Sequence, residues 1–177
     1  MVASLMIEIR RLNATEALEY LGALVEVLLD CVEGGASVGF MAPLPRATAE
    51  SFFEKVVQGV QQDDRILLAA FMDSKLVGTV QVLLATPPNQ PHRADVAKLM
   101  VIRSARGQAI GARLVEHAEE TSRLQGKTLL VLDTATGGDA ERLYMRLAWN
   151  RAGVIPQYAL FPDGTWCDTT IFWKQLV

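Results

Sequence analysis

The stretch Lys98-Leu99-Met100-Val101-Ile102-Arg103-Ser104-Ala105-Arg106-Gly107-Gln108-Ala109-Ile110-Gly111-Ala112-Arg113-Leu114-Val115 changes its periodicity half-way along. As far as Ile102 it is a short apolar run of strand length, closed by the turn residues Ser-Ala-Arg-Gly. Beyond it, Ile110, Leu114, Ala118, Thr121 and Leu124 recur at helical spacing, with Arg113, Glu116, Glu119, Glu120 and Arg123 opposite. A strand that turns through glycine into a helix leaves backbone N–H groups without acceptors at the positive end of the helix dipole. Such a turn suits a phosphate. No Lys-Ser/Thr follows it and the three-glycine dinucleotide fingerprint is missing, which disfavours both common nucleotide sites. The expected order is strand, anion nest, helix.

Working outward, residues 5–11 alternate as a first strand and residues 14–32 carry one apolar helical stripe, capped by Asn13 or Thr15 and stopped by Gly34-Gly35. The segment Gly34 to Pro45 is broken by glycine and proline yet holds Val38, Phe40 and Met41. It either tucks under the core or lines a substrate pocket. A helix over about 47–62 points Phe52, Phe53, Val56, Val57 and Val60 inward. Arg65–Met72, a turn at Asp73-Ser-Lys75 and Leu76–Leu84 read as a hairpin, and Arg93–Ile102 as the central strand. After the helix that follows the nest, Gly126 precedes a nearly all-apolar strand over 127–132. That composition predicts burial on both faces, as in a parallel crossover pair. A loop over 133–138, a helix over 139–148 and two strands around Pro162-Asp163-Gly164 complete the chain. The sum is a mixed α/β sheet of about seven strands flanked by about four helices.

At 177 residues the chain has the size of a single domain, 1–177, able to bury a core without staples. Half hydrophobic and 21 % charged, it has the make-up of a globular protein. A net charge of −3 argues against a general nucleic-acid or anionic-membrane surface. Cys31 and Cys167 supply neither a disulfide framework nor metal spacing, so no metal is expected. The apolar run at the N-terminus is too short for a signal peptide and no segment reaches membrane length, which makes the cytoplasm the expected location.

Leu99-x-Val101 followed by Arg106-Gly107-Gln108-Ala109-Ile110-Gly111 resembles the acetyl-CoA signature of the GNAT N-acetyltransferase superfamily, Arg/Gln-x-x-Gly-x-Gly/Ala. The order of elements matches that fold as well. The resemblance implies a GNAT-like acyl-CoA N-acyltransferase fold and acetyl-CoA as acyl donor, with Arg106 to Ala112 cradling the pyrophosphate. It implies pantetheine along the strand edge Leu99–Val101 and an oxyanion met by backbone N–H near Met100. Arg103 stands where proline is frequent, and Ala109 replaces the middle glycine, where a methyl is compatible with helical backbone. Arg103, Arg113, Arg146 and Arg151 are candidates for the 3′-phosphate. Within the same zone, Arg93 to Val101, Ser104 to Gly107 and Gly34 to Met41 look like the tabtoxin resistance protein subfamily, which implies an amino-acid-like or β-lactam toxin as acceptor.

Acetyl transfer to an amine needs a base, because an alkyl amine with a pKa near ~10.4 is mostly protonated at neutral pH. Two carboxylates are candidates. Asp133 ends a strand, where ligands of open α/β sheets gather, and Asp95 is favoured by the family likeness. The structural alternatives are a turn cap for Asp133 and pairing with Arg93 or Lys98 for Asp95. Ala140-x-x-Leu-Tyr144-x-x-Leu-Ala148-Trp149 resembles the family's final-helix motif, whose tyrosine protonates the departing thiolate. Here Gly137 stands at the motif's asparagine, and Ala148-Trp149 replaces Gly-Phe. Tyr144 is otherwise a core aromatic. His117 falls in the apolar stripe as a core-edge residue, His92 is a minor candidate for substrate contact, and Cys167 has no adjacent histidine to activate it.

The expected function is acetyl-CoA-dependent N-acetylation of a small-molecule primary amine by direct attack, with Val38, Phe40 and Met41 on the acceptor side. The alternatives are a non-catalytic acyl-CoA sensor and a protein or peptide N-acetyltransferase. A homodimer through the closing hairpin is left open.

Overall fold

The computed structural model describes residues 6–84 and 86–176; Leu5 and the N-terminal residues before it, read above for a strand start and a signal peptide, lie outside the described residues. Among the described residues the elements run β1 (Ile7–Leu12), α1 (Ala14–Glu19), α2 (Leu21–Glu33), α3 (Arg46–Gln61), β2 (Arg65–Met72) and β3 (Lys75–Leu83). They continue with β4 (Arg93–Val101), α4 (Ile110–Leu124), β5 (Leu129–Ala135), α5 (Asp139–Arg146), β6 (Asn150–Leu160) and β7 (Trp166–Gln175). The strands form one seven-stranded mixed sheet in the order β1-β2-β3-β4-β5-β7-β6. Only β4 and β5 run parallel, joined by α4 as the crossover.

Five helices stand where about four are expected, because the stripe over 14–32 breaks at Tyr20. Tyr20 turns its ring edge-on to Phe71, with centroids 5.0 Å apart, and leaves the helical path to do so. Of the two candidate caps, Asn13 is the one used. Its side chain accepts from Glu16 N–H at 2.9 Å while the Glu16 carboxylate accepts from Asn13 N–H at 2.9 Å, a complete capping box.

Side chains alternate across the sheet, and the two faces are covered unequally. On one face Leu68, Val82, Val96, Leu130 and Phe172 pack with Ile110 and Leu114 of α4 and Tyr144 of α5. On the other, Leu67, Ala69, Phe71 and Met100 pack with Leu24, Leu28 and Phe53 of α2 and α3. That second core stops at β4. The strands buried on both faces are therefore β2 and β3, whose interiors are fully buried, and not β5, which alternates between buried Leu130 and Leu132 and half-buried Leu129 and Val131. The strand also runs on to Ala135, so Asp133 is a strand residue paired with Ile171 and not part of a loop. No helix covers the second face of β5, and a cleft opens there.

The stripe on α4 is rotated from the one read off the spacing. Ile110, Leu114, Val115, Ala118 and Ser122 are buried, whereas Leu124 is 76 % exposed at the helix end and Thr121 only half-buried. His117 is exposed, one ring nitrogen 2.8 Å from Arg113 O. Glu119, expected on the solvent side, is 6 % exposed. Lys174 of β7 donates to both of its oxygens at 2.8 Å and the indole N–H of Trp149 donates to one at 2.9 Å. A buried pair with its remaining valences filled ties α4, β7 and the residue after α5 together.

Candidate active site

β4 and β5 pair over Arg93–Asp95 and Leu129–Val131 and then part, leaving a wedge-shaped slot between them. On its β3 side β4 carries an irregularity between Thr79 and Gln81, with Lys98 left-handed at φ 56°. One extra residue there bends the strand away from its neighbour. Gly78 permits the bend: a Cβ on it would lie 2.8 Å from Met100 O, a contact backbone cannot relieve. The sequence reading passed over Gly78, although a glycine inside a strand is itself a signal of close backbone approach.

At one end of the slot the chain turns through Ser104 to Ala109 into α4. No N–H of residues 107–112 donates to a protein acceptor among the described residues; the first intramolecular bond of the helix is Arg113 N–H to Ala109 O at 3.1 Å. A run of unbonded amides at a helix start is the cradle a diphosphate requires, so these residues fit the phosphates of a coenzyme A thioester. Gly107 at φ 78° and Ala109 at φ 59° aim the amides outward, so Ala109 is left-handed and not helical as the sequence suggested. An alanine there is strained where glycine is not. Ala109→Gly is expected to stabilise the fold by about 0.5–1 kcal/mol, read as a higher denaturant midpoint at unchanged slope.

The Arg106 guanidinium folds back to donate from Nε to Val101 O at 3.1 Å, clamping the turn to the end of β4. Beside it the Cys31 thiol donates to the same carbonyl at 3.5 Å, and burial pushes that thiol up. Arg103, a candidate for the 3′-phosphate, is committed elsewhere. Its N–H and Nε donate to Asp30 at 2.7 and 2.9 Å and its remaining fork donates to Glu33 at 2.7 Å, which pins the C-terminal end of α2 to the turn. Arg113 and Arg146 show no ion pair among the described residues, and Arg151 lies 3.9 Å from Glu141. Gly111 lets α4 approach α5, since a Cβ on it would sit 3.3 Å from Leu143.

Tyr144 is carried on α5, in the core beneath the sheet face that α4 covers. Its ring is buried against Trp149 and Phe172, with centroids 5.6 and 5.9 Å away, and no described group hydrogen-bonds its hydroxyl. Burial raises its pKa well above the usual phenol value and the Asp133 charge adds to this. The helix that carries it ends in a Schellman motif, Trp149 N–H to Tyr144 O at 3.0 Å and Ala148 N–H to Met145 O at 3.1 Å, with Ala148 left-handed at φ 58°. Gly137, at the position of the motif's asparagine, is also left-handed at φ 80°, and its N–H donates to the Glu141 carboxylate, which also accepts from Thr170 at 2.8 Å. Asparagine and glycine share tolerance of that backbone, so the Gly137 departure preserves the motif's geometry, whereas Ala148 holds a left-handed position that glycine takes without strain.

On the uncovered face the slot widens into a cavity of about 300 Å³, lined among others by Asp95, Ala97, Val131, Asp133, Tyr158 and Ile171. Both candidate carboxylates therefore face one space, but in different surroundings. Burial holds the Asp95 carboxyl above the usual carboxylate range, the Asp133 charge reinforcing this and Arg93, 3.1 Å away, opposing it. Asp133 is exposed at the rim. Tyr158 enters because β6 bulges against β7 between Ile155 and Ala159, with Gln157 left-handed at φ 53°. The sequence signal for that bulge is Pro156, since proline inside a strand sits at an edge or a bulge. A larger hollow of about 620 Å³ lies between α2 and residues 42–44, but its acidic groups are already paired, Glu26 with Arg46 and both Asp30 and Glu33 with Arg103.

The 34–45 loop divides between the two roles open to it. Val38 and Phe40 pack against the α2–α3 core, Phe40 edge-on to Phe52 at 5.2 Å, while Met41 stays 47 % exposed. None of the three lines the cavity. The loop is fastened to the closing hairpin by Ser37 Oγ donating to Leu160 O at 3.2 Å and Ala42 N–H to Pro162 O at 3.0 Å. It meets β4 through Gly39, against which the Lys98 ammonium rests. Among the described residues no group of three or more His, Cys, Asp or Glu is placed to hold a metal, and no helix is long and apolar enough to cross a membrane.

A family model described as "Acetyltransferase (GNAT) family" matches residues 30–149, more than half of the chain. Solved structures share the architecture. A Salmonella typhimurium protein, YncA, assigned as an acetyltransferase and solved with its cofactor acetyl-CoA, superposes with a TM-score of 0.78 at 17 % identity, covering 97 % of this chain and 95 % of its own. A ribosomal-protein-alanine N-acetyltransferase from Brucella melitensis gives 0.78 at 21 % identity, covering 96 % and 99 %. A protein assigned as a phosphinothricin N-acetyltransferase gives 0.76 at 16 % identity, covering 97 % and 99 %. The names of these neighbours point to acceptors as different as a ribosomal protein's alanine and phosphinothricin, and at such identities the likeness speaks for the fold alone.

Proposed function

Since the chain belongs to the GNAT acetyltransferase family, we propose that it transfers acetyl from acetyl-CoA to a primary amine of a small molecule by direct attack, residues 1–177 acting as one catalytic unit. The observation that carries this reading is the run of unbonded amides at 107–112, at the start of the helix that follows the parted end of β4, whose cavity Asp95 lines.

In this reading Arg106 to Ala112 grip the diphosphate, and the parted edge of β4 at Leu99–Val101 pairs with the pantetheine amides as an added strand would. The Met100 amide meets the developing oxyanion. Asp95, which burial makes a stronger base than an ordinary aspartate, takes the amine proton, directly or through water, and Asp133 at the rim attracts the ammonium form. Tyr144 keeps its proton until a thiolate appears beside it. No step calls for a metal. Val38, Phe40 and Met41 act on the acceptor only by positioning the loop that closes the site.

A small acceptor is supported by the cavity's size and by the fastening of the 34–45 loop to the closing hairpin. The likeness of Arg93–Val101 and Gly34–Met41 to the tabtoxin resistance subfamily supports an amino-acid-like or β-lactam toxin acceptor and a role in resistance. A cytoplasmic location and a homodimer through the closing hairpin, where Ile155, Leu160 and Trp166 are exposed, belong to the same proposal.

The test is thiol release from acetyl-CoA across a panel of small amines and N-terminal peptides. Release that requires a small amine is the expected result. Tight acetyl-CoA binding with no release on any acceptor replaces the reading with an acyl-CoA sensor, and release on peptides alone replaces the small acceptor.

A further inference from the structure

We propose that Lys98 is the counter-charge for a carboxylate on the acceptor, so that the enzyme selects amino-acid-like molecules carrying both an amine and an acid group. The inference rests on the acceptor reading above and adds a specificity-determining residue to it.

Lys98 has an unusual position. It is the left-handed residue of the β4 bulge, directly after Ala97, which lines the acceptor cavity, and three residues beyond Asp95. A lysine in left-handed backbone carries strain that any glycine or asparagine would avoid, and such strain persists where the side chain has a use. Its side chain is folded inward. The Nζ atom rests against Gly39 of the 34–45 loop, where a Cβ would come within 3.2 Å of it, so the glycine leaves space at the ammonium. Among the described residues no hydrogen bond and no carboxylate within 4.0 Å satisfies that ammonium, whereas Lys174, the other inward lysine, has Glu119 and a carbonyl at 2.8 Å.

A partly buried cation without a partner costs free energy, and an incoming anion recovers it. The Asp133 charge is felt at Lys98 but forms no ion pair with it. The cavity lining carries the negative groups, Asp95 and Asp133 with the Tyr158 ring beside them, and the Lys98 ammonium stands next to that lining, one residue past Ala97 and against Gly39 of the loop. That polarity matches a zwitterion: ammonium toward the carboxylates, carboxylate toward Lys98. A simple alkyl amine would leave Lys98 unpaired, and selection against it follows from the cost of that vacancy.

The experiment compares free amino acids, including the ω-amino acids β-alanine and γ-aminobutyrate, with the methyl ester of each. In the wild type kcat/KM is expected to favour the acid over its ester by at least about tenfold, the worth of one charge-assisted hydrogen bond. In Lys98→Gln the ratio falls toward one, and Lys98→Arg retains it. Independently of turnover, the lysines are reductively methylated with 13C-formaldehyde and the Lys98 resonance, assigned through Lys98→Arg, is followed while acids or esters are added. It is expected to move with acids and not with esters. Esters turned over as well as acids, equal loss of both in Lys98→Gln, or a Lys98 resonance blind to every acid each overturn the proposal. A resonance that answers to acids in a protein that acetylates nothing upholds the anion site and instead overturns the acetyltransferase reading.

Discussion

Tyr144→Phe lowers turnover by about 10²-fold or more while acetyl-CoA binds as tightly as before. The substitution removes one oxygen from a ring held between Trp149 and Phe172, and phenylalanine fills the same volume in the same orientation. The hydroxyl bonds to no described protein group, so its loss leaves no orphaned partner and fold stability is retained. Any loss of rate then belongs to the step in which a thiolate needs a proton. Because burial and Asp133 keep the phenol protonated well beyond neutral pH, the alkaline limb of the rate profile is not expected to originate from Tyr144. Single-turnover thiol release and calorimetric titration with acetyl-CoA check the two halves separately. Undiminished turnover removes Tyr144 from the mechanism.

Asp95→Asn is the second large effect, a loss of about 10²–10⁴-fold in kcat/KM accompanied by a gain in stability. In the wild type the folded-state pKa is raised, chiefly by burial, so the fold prefers the neutral carboxyl. The base form exists only above that pKa, and the acid limb of kcat/KM lies higher than an ordinary aspartate would put it. For stability the sign is opposite. The preference for the neutral form is fully present below the unfolded-state pKa and is lost as pH rises through the folded one, so at neutral pH the charge is a burden. Asparagine carries none, and its melting temperature exceeds that of the wild type at pH 7 but not in acid. A variant that loses activity, loses the acid limb and melts higher identifies Asp95 as the base. Unchanged activity passes that role to Asp133.

What the chain discloses about itself follows from the range of the forces involved. The β2–β3 hairpin is legible because its signals are local, an apolar run over 65–72 and then Asp73-Ser74, which take the two left-handed positions of a tight turn. The anion nest is legible for the same reason. Glu119 is not, since helical spacing groups it with Glu116 and Glu120, and only Lys174, remote in sequence, brings it inside. Nor is the break at Tyr20, which answers to Phe71. Of the residues proposed for the site, Asp133 is marked by its strand end, and Asp95 and Tyr144 by the resemblance. Tyr158 and the role of Gly78 are marked by neither, because each depends on how one strand bulges against another. Ala109 is a mixed case. Nothing in alanine announces left-handed backbone, but the resemblance, with its glycine at that place, already contained the requirement.

The unequal clothing of the sheet has a kinetic corollary. In the proposed reading the amide cradle belongs to the face under α4 and α5, and the acceptor cavity to the bare face beyond β4, with the gap between β4 and β5 lying between them. The sheet acts as a septum with a window, and the two reactants arrive from opposite sides without passing one another. Both can be resident together, in either order of arrival, and neither product must wait for the other to clear a shared corridor. Such an enzyme has no need to park the acetyl group on a side chain between visits. Its initial-rate lines intersect instead of running parallel.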